Sequence, residues 1–299
     1  MNGTQTIEAK AQRRYLIISG QDNLAGLRRY LGPREPKVIK AALKLWRDQS
    51  ALISREDADR MAQTGSVPEN LLRAWEQQNS DFVHETLVPE WIDGFEITSK
   101  DIEQRIKRLQ QKALLPRAAI QKWVNDHKSG LITALDKEGK EAIAAVLKTA
   151  QELNLNPYHL SLLLRSPISQ EGNIFIGLFP RWAKAVIHRY WDLKIAGFTH
   201  EQAWAQSRKY KEFLTKVRGL MIARTELAEA YNEGQLAALK GTGETIKKRW
   251  ATADDERLCL GCSELDGEER DLNAEFSNGK QRPTAHPSCR CSLEYELVR

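Results

Sequence analysis

Apolar residues recur every three or four positions through most of the chain, which is the spacing of amphipathic helices. Residues 180–197 give the clearest case, because a proline lies in the first turn and a glycine ends the segment. Four apolar side chains would share one face of this helix: Trp182, Val186, Tyr190 and Leu193. The pattern predicts a helix that ends at Gly197.

A second, longer helix is predicted directly afterwards. Thr199 and Gln202 have the spacing of a capping box, and the helix can continue to about Leu239. Its predicted buried stripe consists of Ala203, Tyr210, Phe213, Val217, Leu220 and Leu227. Gly219 is expected to weaken the helix midway. The two segments together predict a helical hairpin with a long second arm.

Upstream, from about residue 36 to 170, the pattern predicts shorter helices with capping signals. Ser54 and Ser66 each precede an acid by three residues, Thr98 precedes the amphipathic segment 101–115, and Asn156 precedes a proline. Four tryptophans in this region are predicted as core or docking side chains: Trp46, Trp75, Trp91 and Trp123.

After residue 243 the period changes from helical to alternating. Residues 245–250 and 291–298 alternate apolar with polar side chains, and Asp266-Gly267 is a tight-turn signal. The tail is therefore predicted to be β-rich, and it is too short to bury much apolar surface alone.

Charge and composition restrict the classes of function. The formal charge of +5 is mild for 299 residues, so it permits contact with nucleic acid without requiring it. Neither a membrane-spanning window nor a signal peptide is found, which predicts a protein without a membrane partner, in a compartment where thiols stay reduced.

All four cysteines lie in this tail, and a histidine accompanies them. Cys259 and Cys262 are separated by two residues, as are His286 and Cys289, with Cys291 two positions further on. This spacing predicts a structural Zn²⁺ that replaces missing core burial. Five donors compete for four positions, and Cys291 could replace either His286 or Cys289. The absence of an obvious open coordination position favours a structural site, so no catalytic residue is assigned.

The fold class predicted from these observations is mainly α, with a small zinc-stapled β-rich module at the C-terminus, an α+β arrangement. Three segments follow: a helical N-terminal region 1–170, the helical hairpin 171–242 and the zinc-binding β module 243–299.

Polar side chains also share one face of the long helix. Arg224 and Asn232 lie at four-residue steps with the small Ala228 between them, so another segment could approach closely. We interpret Arg224, Glu226 and Asn232 as tying the long helix to the zinc module. The candidate partners of Arg224 are Asp254, Asp255 and Asp266.

These residues together resemble the tailed-phage head-morphogenesis family, the minor head proteins like phage Mu F. The resemblance runs from about residue 177 to the C-terminus and is carried by Arg224, Thr225, Glu226, Asn232, Gly234, Trp250, Asp255, Arg257, Cys259, Cys262, Leu265, Asp266, Gly267 and the segment from His286 to Cys291. The N-terminal half departs from the family pattern.

The resemblance implies a structural protein of a phage or prophage head that acts in head assembly, DNA packaging or ejection. It implies the portal protein and other head proteins as partners and, in some relatives, non-specific double-stranded DNA. The implied location is the virion, in the head interior or at the portal vertex, with the host cytoplasm during assembly.

Two alternatives belong to other classes of protein. One is an enzyme, either a zinc-dependent nuclease or a transferase using Arg224 and Glu226, and the other is a zinc-dependent nucleic-acid-binding protein. The chain lacks a metalloprotease helix motif and a phosphate-binding glycine loop, and His188 and His200 are isolated. Its stretches rich in lysine and arginine carry only modest charge, which is typical of a solvated surface. The sequence therefore favours a protein that is not an enzyme.

Overall fold

The computed structural model describes residues 13–109, 117–165, 175–253, 255 and 258–299. Most of these residues are helical. The helices are α1 (Gly20–Ala51), α2 (Arg55–Thr64), α3 (Glu69–Phe82), α4 (Val88–Arg108), α5 (Arg117–Glu152), α6 (Pro157–Arg165), α7 (Pro180–Ile195), α8 (His200–Lys240) and the short α9 (Leu260–Ser263), with a π-helical turn at Val83–Leu87 between α3 and α4. The predicted fold class, mainly α with a small β region, is confirmed.

The strands form one antiparallel sheet in the order β1-β4-β2-β3. They are β1 (Arg14–Ile18), β2 (Ile246–Ala251), β3 (Glu269–Asp271) and β4 (Ser292–Val298). The predicted alternation in β2 and β4 is confirmed, and the buried positions of β2 are Ile246, Lys248 and Trp250.

Strand β1 lies within residues 1–170, the segment that the sequence predicts as a helical N-terminal region. It pairs with β4, placing Arg14 opposite Val298 and Tyr15 opposite Leu297. The apolar run Tyr15–Ile18 has only four residues, too few to indicate a helix or a strand by its pattern alone, and the partner strand lies at the other end of the chain. The β-rich module therefore includes a strand from the N-terminal region.

Helix boundaries agree best with the sequence where capping residues mark them. Thr199 and Gln202 exchange backbone and side-chain hydrogen bonds at the start of α8, and Gly197 has φ +88° after α7. Ser54 forms the predicted capping box with Asp57. Asn156 accepts a hydrogen bond from the backbone of Tyr158 at the start of α6.

Two predicted caps are wrong. Helix α3 begins after Pro68 with no side-chain cap, so Ser66 does not cap it. Thr98 lies inside α4, where its hydroxyl donates to the carbonyl of Gly94 at 2.8 Å, since α4 already begins at Val88. The predicted continuation of this helix beyond residue 109 lies outside the described residues.

The predicted buried stripe of α8 is only partly correct. Ala203 and Leu227 are buried, but Phe213 is 60% exposed. The buried face in this part of the helix instead contains Trp204, Leu214 and Arg218. Gly219 does not interrupt the helix.

The chain divides into two compact units, each assembled from separate stretches of sequence. The first contains residues 1–31, 93–120 and 228–299, and the second contains residues 32–92 and 121–227. The long helices α1 and α8 contribute residues to both units. The bounds of the two units therefore differ from those of the three segments predicted from the sequence.

The hydrophobic core of the first unit surrounds the sheet and the cysteines. Sheet residues such as Trp250 and Tyr295 pack there with Leu236 and Leu239 of α8 and with three buried cysteines. Among the described residues, no helix is long and apolar enough to span a membrane.

Candidate metal centre

The first two cysteines lie at the start of the four-residue helix α9. Cys259 is its N-cap residue, and its Sγ accepts a hydrogen bond from the backbone amide of Cys262 at 3.3 Å. A single tight turn therefore directs both sulfur atoms to the same side, as the two-residue spacer predicts.

The other three donors lie in the segment that leads into β4. A turn in which the amide of Cys289 donates to the carbonyl of His286 at 3.1 Å brings these two residues together. Cys291 directly precedes Ser292, the first residue of β4. The sheet thus fixes the position of this segment opposite α9.

All five predicted donors converge. The Nε2 atom of His286 lies 3.1 Å from the Sγ of Cys259 and 3.2 Å from the Sγ of Cys262, and the sulfurs of Cys262 and Cys289 are 3.8 Å apart. Metal–sulfur bonds of about 2.3 Å in a tetrahedron place neighbouring ligand atoms about 3.8 Å apart. The spacing of the donor atoms is therefore compatible with one tetrahedral ion.

The donors form two overlapping groups that share one cysteine. Cys259, Cys262 and His286 form one group, and Cys262, Cys289 and Cys291 form the other, with the ligand atoms of each group within 4.8 Å of one another. Cys262 belongs to both. The structure therefore shows a Cys/His cluster that could hold a metal ion, and the choice of four ligands stays open between the groups.

Hydrogen bonding of the His286 ring favours metal binding through Nε2. Its Nδ1 atom lies 2.9 Å from the carbonyl oxygen of Pro287, which can only accept, so Nδ1 carries a proton and donates. The lone pair of a neutral ring is then on Nε2, which faces the two cysteines. A backbone carbonyl that orients a ligating histidine in this way is common in metal sites.

Burial and mutual hydrogen bonding set the protonation of the metal-free thiols. Burial raises the pKa of Cys262 to about 12. The hydrogen bond from Cys291 lowers the pKa of Cys289 to about 5, and the same interaction raises the pKa of Cys291. Cys289 therefore loses its proton more easily than Cys262 or Cys291, and a bound cation would favour the thiolate form of all of them.

Several predicted residues support the cluster from outside. Arg290, between two of the cysteines, forms a bidentate ion pair with Asp255. Asp266 accepts hydrogen bonds from both the amide and the hydroxyl of Thr252.

Gly267 has φ +76°, and its amide donates to the carbonyl of Trp250 at 2.9 Å. Trp250 is buried against Phe276. Arg257 lies outside the described residues.

Asn232 connects α8 to this region. Its Oδ1 atom accepts a hydrogen bond from the Ser292 hydroxyl at 3.2 Å, and its Nδ2 atom donates to the carbonyl of Ala228 at 3.0 Å. Because Ser292 follows Cys291 directly, the structure places Asn232 where it links the long helix to the β4 end of the cluster.

The predicted partners of Arg224 are wrong. Its guanidinium forms two hydrogen bonds with the carboxylate of Glu35, at 2.9 and 3.1 Å, within the second unit. Asp255 and Asp266 have the partners given above, and Asp254 lies outside the described residues. The aspartates are nearer to Arg224 in sequence than Glu35 is, but α1 brings Glu35 into contact with it.

The neighbours of Arg224 also lie in the second unit. Glu226 is buried, and its Oε2 atom lies 2.6 Å from the Nε2 of His127. The His127 ring stacks on Trp123 with 4.4 Å between ring centroids. Thr225 is half-buried. Arg224 and Glu226 thus contact residues of the second unit, and the structure brings neither of them to the metal cluster.

One family of known proteins matches part of the chain. Residues 194–294 match the family model described as Phage Mu protein F like protein. Through this region the chain resembles the Phage Mu F-like family. The match supports a role in phage head morphogenesis, with a place in the virion and contacts with other head proteins. No curated protein and no solved structure matches the chain.

The region that matches the Phage Mu F-like family contains all five candidate metal donors and the whole of α8. Strand β1 and the helices from α1 to α6 lie outside it. The cluster is therefore part of the family-specific region, while one strand of the sheet beside it comes from the remainder of the chain.

Sequence reasoning missed a buried amide pair that joins three elements of the first unit. Asn23 of α1 and Gln235 of the Phage Mu F-like α8 exchange hydrogen bonds of 2.7 and 2.6 Å. The Nδ2 atom of Asn23 also donates to the carbonyl of Leu293 in β4 at 2.7 Å. These residues are 212 positions apart, so no local pattern could indicate the pair.

A second missed group lies on the other side of α8. Arg282 forms ion pairs with Glu229 and Glu233, and Glu229 also accepts from the Thr284 hydroxyl. Arg282 is only 14% exposed in its side chain. The pair of glutamates four residues apart is a common pattern on solvated helices, so nothing in the sequence distinguishes this buried site.

Proposed function

We propose that this chain is a structural protein of the phage or prophage head that acts in head assembly, DNA packaging or ejection near the portal. The observation that carries the proposal is the match of residues 194–294 to the Phage Mu F-like family, with the convergent Cys/His cluster inside it. The proposed partners are the portal protein, other head proteins and non-specific double-stranded DNA. The proposed location is the virion, reached from the host cytoplasm during assembly.

We further propose that the metal is Zn²⁺ and that it is structural. Thiolate and imidazole donors at tetrahedral spacing are the ligands that zinc prefers. The five donors can fill all four positions of such an ion, which supports a protein that is not an enzyme. The ion would hold α9 and the segment before β4 together.

The proposed function is tested by the protein content of particles. Mass spectrometry of purified virions and of empty proheads, scaled to the major capsid protein, should find this chain in particles. Its absence from both would contradict the proposal. If purified protein then bound DNA in a strongly salt-dependent manner, the alternative of a zinc-dependent nucleic-acid-binding protein or nuclease would be favoured.

The proposed metal is tested separately. Elemental analysis of protein purified without oxygen should find about one zinc per chain. Protein that contains neither zinc nor iron while its sheet remains folded would contradict the structural role.

A further inference from the structure

An apolar stripe on α8 faces solvent in the second unit. Tyr210, Phe213, Val217 and Leu220 lie at helical spacing, so their side chains share one face. Phe213 is 60% exposed, and the other three are half-buried. A helical face of this composition normally packs against another element. We call these four residues the α8 stripe.

The opposite face of α8 prevents the stripe from turning inward. Arg218 is buried there, donating to the carbonyl of Leu178 at 3.1 Å and pairing with Glu138 at 2.5 Å. Its guanidinium also lies over the rings of Trp46 and Phe179. Rotating the helix to bury Phe213 would remove Arg218 from these partners and strand a buried charge, which is costly.

Charged side chains lie beside the stripe, and among them Glu212 is paired with Arg208. Lys209 and Lys216 are exposed on the same side of α8 as Phe213. The guanidinium of Arg189 lies over the Tyr210 ring, 5.5 Å from its centroid. Phe213 is therefore an exposed aromatic side chain with two lysines beside it, on a stripe that is otherwise half-buried.

We propose that the α8 stripe binds an amphipathic helix of another head protein, one whose apolar face is flanked by acidic side chains. The inference rests on the proposed function as a head protein. Charge complementarity selects this partner, because an apolar face flanked by carboxylates matches both Phe213 and the lysines beside it. Single exposed apolar residues are normal, but an exposed aromatic side chain on an apolar helical stripe, with lysines beside it, suits a partner that is both apolar and acidic.

Two other occupants fit the surface less well. A second copy of the chain that offered the same stripe would bring the basic flanks of both copies together, and like charges across an interface are unfavourable. Double-stranded DNA would use the lysines for phosphate contacts but would leave Phe213 and Val217 without apolar partners.

Substitution of Phe213 tests the surface in the full chain. Phe213→Glu should reduce the amount of this protein in purified particles by about tenfold or more, since it adds a charge that repels acidic flanks. Phe213→Leu should keep the normal amount. Tyr158→Glu is the matched control, because Tyr158 is an aromatic residue with similar exposure, 62%, on α6. Normal incorporation of Phe213→Glu would overturn the inference.

Folding and partner identity are checked in parallel. Each variant should retain the circular dichroism and metal content of the wild-type protein. If Phe213→Glu does not fold, the double variant Lys209→Glu with Lys216→Glu replaces it. This variant should also be reduced in purified particles by about tenfold or more, and its normal incorporation would overturn the inference. Wild-type protein that is itself absent from particles would refute the proposed function and the inference with it, whereas normal incorporation of both wild type and variant refutes the inference alone.

Photo-crosslinking identifies the partner. A benzoylphenylalanine introduced in place of Phe213 should crosslink, within assembled particles, to an acidic-flanked amphipathic helix of a different head protein. Crosslinks to DNA or to another copy of this chain would overturn the inference, and so would the absence of any crosslink.

Discussion

Cys262 belongs to both groups of donors, so it should be the cysteine on which metal binding depends most. Cys262→Ser removes the ligand that the two groups share, and we expect the metal content to fall to about a tenth or less, with loss of order in the tail. Cys291→Ser should retain the metal only if Cys259, Cys262, His286 and Cys289 are the ligands. Elemental analysis measures both variants.

The neighbouring Ser263 provides the control for this experiment. Its hydroxyl donates to the carbonyl of Leu260 within α9 and is not a donor to the cluster. Ser263→Ala should therefore keep a full complement of metal. Full metal content in Cys262→Ser would show that the cluster is not the metal site.

The ion pair of Arg224 predicts a local loss of stability in the second unit. Side chains of Arg224 and Glu35 are 19% and 16% exposed, so Arg224→Ala leaves a largely buried carboxylate without its bidentate partner. We expect the free energy of unfolding to fall by about 1–3 kcal/mol, with unchanged metal content. Denaturant unfolding and hydrogen exchange in residues 32–92 measure this.

Arg60→Ala is the matched control for that change. Arg60 pairs with Glu56 on the exposed surface of α2, where such pairs contribute about 0.3–0.5 kcal/mol. Equal effects of the two substitutions would mean that the Arg224 pair contributes no more than a surface pair. A loss of protection confined to residues 245–299 would instead restore the predicted link to the metal module.

Lys248 predicts a dependence of stability on pH. Its side chain is fully buried on β2, donating to the carbonyl of Gln281 at 2.7 Å, and burial lowers its pKa from 10.5 to about 8. Between these pH values the unfolded chain holds a proton that the folded chain has lost. The free energy of unfolding should therefore rise with pH from about 8 to about 10.5 through this group.

Comparison with Lys248→Met isolates this contribution from other titrating groups. The difference in unfolding free energy between wild type and variant should shift in favour of the wild type as pH increases through this window. A difference that stays constant with pH would show that Lys248 keeps its ordinary pKa in the folded protein.

At the scale of elements, two glycines of α8 differ in what surrounds them. A Cβ at Gly234 would lie 2.2 Å from the Thr98 hydroxyl oxygen and 2.9 Å from the Phe95 Cα, so α4 approaches closely there. A Cβ at Gly219 would meet only ordinary contacts with Ile39, at 3.5 Å or more. The first glycine is required by packing between helices, and the second is not.

Alanine substitutions test this difference. Gly234→Ala should destabilise the first unit by about 1–3 kcal/mol, because the backbone of α4 must move. Gly219→Ala should be neutral or stabilise by up to about 1 kcal/mol, since alanine favours the helix. Thermal and denaturant unfolding give both values, and a neutral Gly234→Ala would show that the two helices are not tightly packed.

At the scale of the whole molecule, removing the metal should affect the two units unequally. Three of the candidate donors, Cys262, Cys289 and Cys291, lie in the core that surrounds the sheet, so a chelator should remove hydrogen-exchange protection from β2 and β4. Helix α7 and residues 200–227 of α8 belong to the second unit and should keep their protection. Simultaneous loss in both units, or no loss in either, would contradict a metal that stabilises only the first.

Local signals account for the parts of the fold that were predicted correctly. The boundaries of α7 and α8 follow from a proline, a capping box and a glycine, all within a few residues of the helix ends. The five metal donors could also be named from the sequence, because two-residue spacers restrict where neighbouring side chains can point. Such features depend on contacts between residues that are close along the chain.

The tertiary structure decided everything that depends on distant partners. The pairing of β1 with β4 and the ion pair of Arg224 with Glu35, 189 residues away, leave no trace in local periodicity. Periodicity revealed an apolar stripe on α8, but not which face of the helix the rest of the unit covers. Burial of Arg218 settles that question, since a buried guanidinium needs acceptors that only the folded chain supplies, and Phe213 is left facing solvent.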